Sequence, residues 1–329
     1  MGCSDVDGAS PPAGPASRWL SDLCIRQDRA AERLLLCRLT TGAAVLRTVW
    51  HLPTGTFLAT YQPLVEEAAG TPGTGRAVNP LAYEALRGIT VVSAGAWMLG
   101  ARHPAVRIAA NVSFALLQRQ VVKLDDSLYS YNSHLNVFLG LLSLADDPEK
   151  PQRPGSSDAY ASALLAAMQA YYAAMYLQSG ISKLATVGWK WTHGRTLQGA
   201  WAELGTPAGK RLSAMNPKLA QAASTGALLY ELAFAPALLA AWRHRALLGL
   251  SSAAFHGAVK ATMNISFWHL SWFSAPLFAV PDKAARGYSQ LLSTGRRGKW
   301  PARGIATAGA LVGAAPLVKS WLKRRAGSV

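Results

Sequence analysis

Five polar side chains recur at helical spacing along an apolar stretch of the sequence. They are Gln169, Tyr172, Tyr176, Ser179 and Lys183, separated by three, four, three and four residues. This spacing places them on one face of a helix. A lysine buried in apolar surroundings loses its proton more readily and can then serve as a general base. The alternative is a lysine that ends a helix and reaches water through its methylene chain.

A second apolar stretch contains His256, Lys260 and Asn264 at intervals of four residues. Two ionisable groups in one apolar segment are costly unless they serve a function, so we expect these side chains to face a cavity. The alternative is a histidine that is hydrogen-bonded for packing and a lysine that reaches the surface.

His134 and Glu231 are two further polar groups next to or within apolar runs. His134 follows Asn132 and Ser133, a pattern that also suits a helix N-cap, and it gains interest only if it faces the same cavity. Glu231 is a carboxylate deep in an apolar stretch and needs a partner, for which Lys183, Lys260 and Arg38 are the candidates. Such a pair serves structure as readily as catalysis.

The sequence contains no motif of a metalloprotein or of a common soluble enzyme. Its three cysteines, Cys3, Cys24 and Cys37, show no metal-ligand spacing, and we interpret them as free thiols. There is no glycine-rich phosphate loop and no nucleophile elbow. We therefore expect no metal.

The elements that carry these side chains are predicted to be membrane helices. Of 329 residues, 50% are hydrophobic and 15% charged, and the net charge is +16. The basic residues lie in short runs between apolar segments, which favours a lipid bilayer over nucleic acid as the partner. Eight apolar stretches approach spanning length: Leu34 to Leu52, Leu86 to Gly100, Pro104 to Val122, Leu135 to Ala145, Tyr160 to Leu184, Ala220 to Trp242, Ala246 to Ile265 and Phe267 to Val280.

We therefore predict an all-α, polytopic integral membrane bundle of about eight transmembrane helices. A ninth stretch, Ile305 to Trp321, either spans or lies at the interface. Residues 1–30 are interpreted as a disordered cytoplasmic lead, 31–281 as the transmembrane domain and 282–329 as a basic C-terminal segment. The loop charges place the N-terminus inside and Lys183 toward the exterior of a bacterial cytoplasmic membrane.

Four segments, in order, resemble a known family: "CRLTTGAAVLRTVW", "YNSHLNVFLGLLSL", "YLQSGISKLATVGWKWTHGRTL" and "ELAFAPALLAAWRHRALLGLSSAAFHGAVKATMNISFW". They are similar to the membrane domain of vitamin K-dependent gamma-carboxylases and their relatives, the horizontally transferred transmembrane (HTTM) family. "SGISKL" resembles the family's "AGVKKL", with Lys183 on the lysine proposed to deprotonate the hydroquinone and Ser182 on the first lysine. His134 and His256 match two family histidines.

The resemblance implies an enzyme whose base is Lys183, with His134 and His256 orienting groups or relaying protons. Its cofactors would be a reduced quinone and dioxygen, with carbon dioxide if carboxylation occurs. The cavity would be supported by Tyr172, Tyr176, Ser179, Glu231, Lys260 and Asn264. Carboxylases carry a long extramembrane C-terminal part, whereas Val280 here is followed by 49 residues.

We therefore expect a lipophilic quinol or a prenylated or terpenoid molecule as substrate, oxidised, epoxidised or cyclised. Three alternatives stay open. One is gamma-carboxylation of a peptide with a separate recognition protein, and another is a non-catalytic membrane factor for the maturation and export of a secreted peptide or toxin. The third is a transporter, for which the sequence shows no inverted repeat.

Overall fold

A computed structural model of the chain describes residues 26–68, 78–101, 103–121, 126–145, 158–240 and 244–278, together with residues 21, 24, 70, 287 and 290. Eleven α-helices and one 3₁₀ helix account for most of these residues, and the described part contains no β-strand. The prediction of an all-α fold is therefore confirmed.

Twelve helices make up most of the described part of the chain. They are α1 Ala30–His51, α2 Gly55–Ala68, α3 Pro80–Met98, α4 Pro104–Val121, α5 Asp126–Ser143, α6 Ala159–Val187, the 3₁₀ helix Gly188–His193, α7 Arg195–Glu203, α8 Pro207–Ala214, α9 Pro217–Ala240, α10 Arg245–Met263 and α11 Trp268–Phe278. Each of the eight apolar stretches in the sequence overlaps one helix. The predicted loop between α1 and α3 contains α2, and the predicted loop before α9 contains α7 and α8.

The prediction of eight or nine membrane spans is wrong. Among the described residues, α9 is the one helix that is long and apolar enough to cross a bilayer. The other helices are too short or too polar: α11 has 11 residues, and α1 buries the charged side chains of Glu32, Arg33 and Arg38. Their apolar residues instead form faces that pack on one another, a pattern that a count of apolar residues does not separate from a span.

Helix α6 is 29 residues long and lies at the centre of the fold. The carboxylate of Asp158 accepts a hydrogen bond from the backbone N–H of Ala161 and caps its first turn. The helix ends at Gly188, whose φ of 67° is a left-handed value that glycine adopts without strain. It packs against α9 and contacts α1, α5 and α11. Tyr172 and Tyr176 of α6 are also hydrogen-bonded to α10, so the side chains of α6 meet five other α-helices of the described part.

Helices α6 and α9 approach closely at Gly180. A methyl group built on this glycine would lie 2.9 Å from Cδ2 of Leu232 and 3.3 Å from Cβ of Glu231. The absence of a side chain at this position allows the two backbones to come together. It also brings the side chains of Lys183 and Glu231 within reach of each other.

The two terminal segments of the sequence are only partly described. Gln27, Arg29 and Ala30, which the sequence analysis assigned to the lead, are buried against the helices, and Gln27 is hydrogen-bonded to Ser162 on α6. Residues 1–20 and the proposed ninth span, Ile305 to Trp321, lie outside the described residues. The packed domain therefore includes the residues immediately before α1.

Candidate functional site

Lys183 forms an ion pair with Glu231 at the edge of the buried core. Its Nζ lies 2.6 Å from Oε2 and 2.7 Å from Oε1 of the carboxylate, and it donates a third hydrogen bond, of 2.8 Å, to Oγ of Ser179. The Ser179 hydroxyl in turn donates to Oε1 at 3.1 Å. The side chain of Lys183 is 22% exposed and that of Glu231 is 7% exposed. Of the three partners considered for Glu231, the structure selects Lys183.

The same pair is covered on one side by an aromatic ring. The Nζ of Lys183 lies 5.4 Å from the centroid of Trp191, within the range of a cation–π contact. Trp191 belongs to the 3₁₀ helix that follows α6, and its carbonyl accepts a hydrogen bond from Ser224 on α9. The indole Nε1 is buried and has no hydrogen-bond partner among the residues that the structure describes. The aromatic segment after Lys183 therefore folds back over the ion pair.

About two to three helical turns before Lys183, a series of hydrogen bonds links α6, α10 and α11. The Tyr172 hydroxyl lies 3.0 Å from the carbonyl of Leu270 and 2.5 Å from Oγ of Ser252. Ser252 Oγ also lies 2.7 Å from the Tyr176 hydroxyl, which lies 2.7 Å from Nε2 of His256. All four side chains in this series of hydrogen bonds are buried.

A third group, His269, was not singled out from the sequence. It lies on α11, it is 3% exposed, and its ring is stacked on that of His134 with centroids 6.3 Å apart. Nδ1 of His134 lies 2.9 Å from the hydroxyl of Tyr171 on α6. His134 lies within α5, which begins at Asp126, so the helix-cap interpretation of Asn132 and Ser133 is wrong.

The three histidines are all kept neutral by burial. Loss of hydration lowers the pKa of His256 to about 4 and that of His269 to about 3, and it also lowers the pKa of His134. The nearby rings of His134 and His256 lower the pKa of His269 further. Among the described residues, Nδ1 of His256 and Nε2 of His269 are buried and have no hydrogen-bond partner.

The remaining predicted residues do not join this site. Gln169 is buried, but its amide donates to the carbonyl of Leu277 at 2.7 Å and pairs with Gln27, so it holds α6 to α11 and to the segment before α1. Lys260 is exposed and donates to the side chain of Asn264 at 2.5 Å, at the C-terminal end of α10. These two residues are hydrogen-bonded to each other at the C-terminus of α10 and have no described contact with the buried histidines.

Sequence reasoning missed Ser252 as well as His269. Both had a signal: Ser252 lies four residues before His256 on α10, and His269 is a lone histidine within the aromatic run "SFWHLSWF". Within the described ranges, no group of three or more His, Cys, Asp or Glu residues is arranged to hold a metal ion. No family model, curated protein or solved structure matches the chain.

Proposed function

We propose that this protein is an enzyme that removes a proton from a lipophilic hydroxyl compound of the quinol type. The observation that carries the proposal is the contact of 2.6 Å between Nζ of Lys183 and Oε2 of Glu231 at the edge of the buried core. The partial exposure of Lys183 leaves it within reach of a bound molecule. Its resemblance to the lysine of the carboxylase segment supports the same role.

Lys183 begins the reaction as an ammonium, since its three protons point to Glu231 and Ser179. A base needs a lone pair, so one proton must first pass from Nζ to the carboxylate. This leaves a neutral amine and a carboxylic acid, a pair that loses less on removal from water than the two ions do. Binding of an apolar substrate over the partly exposed lysine therefore favours the basic form.

The neutral amine then accepts the hydroxyl proton of the substrate. Lys183 becomes an ammonium again, the substrate becomes an oxyanion, and the two opposite charges lie side by side. A reduced quinone, when bound, would supply the electrons that pass to dioxygen. The described residues suit a hydroxylated ring, since buried nitrogen atoms of His256, His269 and Trp191 are without partners.

The helices that carry the site have large apolar side chains exposed on their surface, which favours a lipophilic substrate. Ile181 is 52% exposed and Trp189 is 68% exposed, and both lie within six residues of the lysine. On the helices that flank the site, Leu229 of α9 and Leu250 of α10 are 56% and 62% exposed. Large apolar side chains at a surface are typical of contacts with lipid or with apolar ligands, and a membrane surface is where we propose that the substrate is met.

The test is oxidation of reduced menadione under air by the purified protein, with the oxidised products separated by chromatography. Lys183→Arg is the matched variant, because arginine keeps a cation beside Glu231 but does not release its proton. We expect wild type to accelerate oxidation and both Lys183→Arg and Lys183→Ala to lose the acceleration. Equal rates in wild type and Lys183→Arg would overturn the proposal.

A second candidate function is supported by the completeness of the Lys183 hydrogen bonds. All three protons of the ammonium have acceptors, as expected for an interhelical clamp in a non-catalytic factor for the maturation or export of a peptide. For such a clamp, Lys183→Arg would keep the function and Lys183→Ala would lose it. The arginine variant therefore separates the two candidates.

A further inference from the structure

We infer that Nδ1 of His256 and Nε2 of His269 bind a neutral aromatic molecule, and that Nδ1 of His256 does so by accepting a hydrogen bond from its hydroxyl group. The inference deepens the proposed function, on which it rests for the identity of that molecule as the substrate. The binding step itself is independent of turnover. It follows from the directions of four hydrogen bonds.

These directions begin at the carbonyl of Leu270. A carbonyl oxygen only accepts, so the proton of the Tyr172 hydroxyl must point to it across 3.0 Å. Burial raises the pKa of Tyr172 to about 12, so this proton is present. Tyr172 has no second proton, so the contact of 2.5 Å with Ser252 must use the proton of Ser252.

The hydrogen bonds that Tyr176 makes to Ser252 and His256 also have fixed directions. Because Ser252 has given its proton to Tyr172, the contact of 2.7 Å between Ser252 and Tyr176 must use the proton of Tyr176. The last contact, of 2.7 Å between Tyr176 and Nε2 of His256, then requires a proton on Nε2. Burial keeps the imidazole neutral at pH 7, so Nδ1 carries a lone pair and no proton.

The series of hydrogen bonds from Leu270 to His256 therefore fixes the tautomer of His256 and does not carry a proton away. It ends on a backbone carbonyl, which is not a proton acceptor in the acid–base sense. Its effect is to present Nδ1 as an acceptor on the opposite edge of the ring. This atom has less than 1 Å² of accessible surface and no hydrogen-bond partner within the described ranges, a condition that is rare for buried polar atoms.

His269 supplies a second such atom. Its Nε2 is equally buried and has no hydrogen-bond partner in the part of the chain that the structure describes. The titratable groups that face it are the rings of His134, stacked at 6.3 Å, and His256, which lowers its pKa. Two neutral imidazoles with unused nitrogens suit a neutral ligand, because burial of a charged one would cost more free energy than hydrogen bonds to neutral groups return.

The walls around His256 are aromatic. The rings of Phe255, Phe267 and Tyr176 have centroids 5.5, 5.1 and 5.7 Å from that of His256. Such walls favour a flat apolar body next to the hydroxyl. Phe267 is half-buried and lies in the non-helical segment 264–267, which begins at Asn264 with a φ of 58°.

The probes are 1-naphthol and 1-methoxynaphthalene, which share the ring system but differ in the hydroxyl proton. Dissociation constants are measured by titration calorimetry with the wild-type chain, with no oxidant added. We expect wild type to bind 1-naphthol about tenfold or more tightly than the ether, because the ether leaves the acceptor on His256 unpaired. Equal affinities for the two probes would overturn the inference.

Two variants assign the preference to His256. In His256→Gln the amide can still donate to Tyr176 but no acceptor remains at the position of Nδ1, whereas His256→Asn places its amide near Nδ1 and loses the contact with Tyr176. We expect the glutamine variant to lose the preference for 1-naphthol and the asparagine variant to keep part of it. The opposite order would overturn the assignment. Melting temperatures establish that each variant is folded.

Failure of the binding site at His256 can be distinguished from failure of the hypothesis that Lys183 is a base. If Lys183→Arg keeps both the preference for 1-naphthol and the oxidation rate, the base hypothesis fails and the binding site stands. If wild type oxidises the quinol but shows no preference between the probes, the binding site fails and the base hypothesis stands. A site occupied only by an ordered water would give no preference in any variant, which also overturns the inference.

Discussion

Nζ of Lys183 on α6 lies 2.6 Å from Oε2 of Glu231 on α9, near the close contact of the two helices at Gly180. The pair depends on this contact, because a side chain at position 180 would press on Leu232 and Glu231 of α9. The geometry of the helices and the chemistry of the site are therefore set by the same contact.

Gly180→Ala should lower the free energy of unfolding by about 1 kcal/mol, because the added methyl group would lie 2.9 Å from Leu232 and force it to move. Gly226→Ala is the control on α9, where an added methyl group meets nothing within 4 Å. It should gain up to about 1 kcal/mol from the higher helix propensity of alanine. Denaturant titration measures both, and a Gly180→Ala variant as stable as Gly226→Ala would contradict the close approach.

Gln169→Leu should cost about 2 kcal/mol of stability, because the carbonyl of Leu277 and the amide of Gln27 lose a buried partner. Gln178→Leu is the control on the same helix, since Gln178 is exposed, and it should change stability by less than about 0.5 kcal/mol. The affinity for 1-naphthol should be unchanged in both. A loss of that affinity in Gln169→Leu would place Gln169 in the binding site after all.

The buried histidines should make the protein less stable in mild acid. In the unfolded chain a histidine takes up a proton near pH 6.5, whereas burial lowers the pKa of His256 to about 4 and that of His269 to about 3. Between these values the unfolded state binds more protons, so stability falls as the pH falls from about 6.5 toward about 4. The loss is on the order of 3 kcal/mol for His256 alone.

The measurement is the melting temperature of wild type and His256→Gln at pH 7 and pH 5. Carboxylates of ordinary pKa affect both proteins alike, so the difference between them reports His256. We expect the decrease from pH 7 to pH 5 to be smaller in the variant. An equal decrease would mean that His256 is protonated in the folded protein at pH 5.

The apolar stretches predicted eight of the eleven α-helices in the described part of the chain, whereas α2, α7 and α8 were predicted as loops. The polar face of α6 could be predicted because a spacing that alternates between three and four residues stays on one side of a helix over several turns. The sequence also predicted that Glu231 has a basic partner. Which partner it has depends on the crossing of α6 and α9 at Gly180, a tertiary contact that no local pattern encodes. Membrane crossing was predicted wrongly because apolar faces that form a protein core have a composition similar to that of a short span.

On α10 the predicted face was extended in the wrong direction. Each step of four residues overshoots a full helical turn by about 40°, so Lys260 and Asn264 turn progressively away from the buried face that contains His256. The buried face instead continues back to Ser252 and Gly249. His269 was missed because its role depends on the packing of α11 against α5 and α10, and the sequence shows it only as one histidine among tryptophans.

The central claim is that Lys183 is the base, and single-turnover oxidation of reduced menadione with the protein in excess tests it most directly. This measurement separates the chemical step from binding and product release. Lys183→Arg should bind reduced menadione within about threefold of wild type and oxidise it at least about 100-fold more slowly, the usual contribution of a general base. A single-turnover rate within about threefold of wild type would contradict the claim.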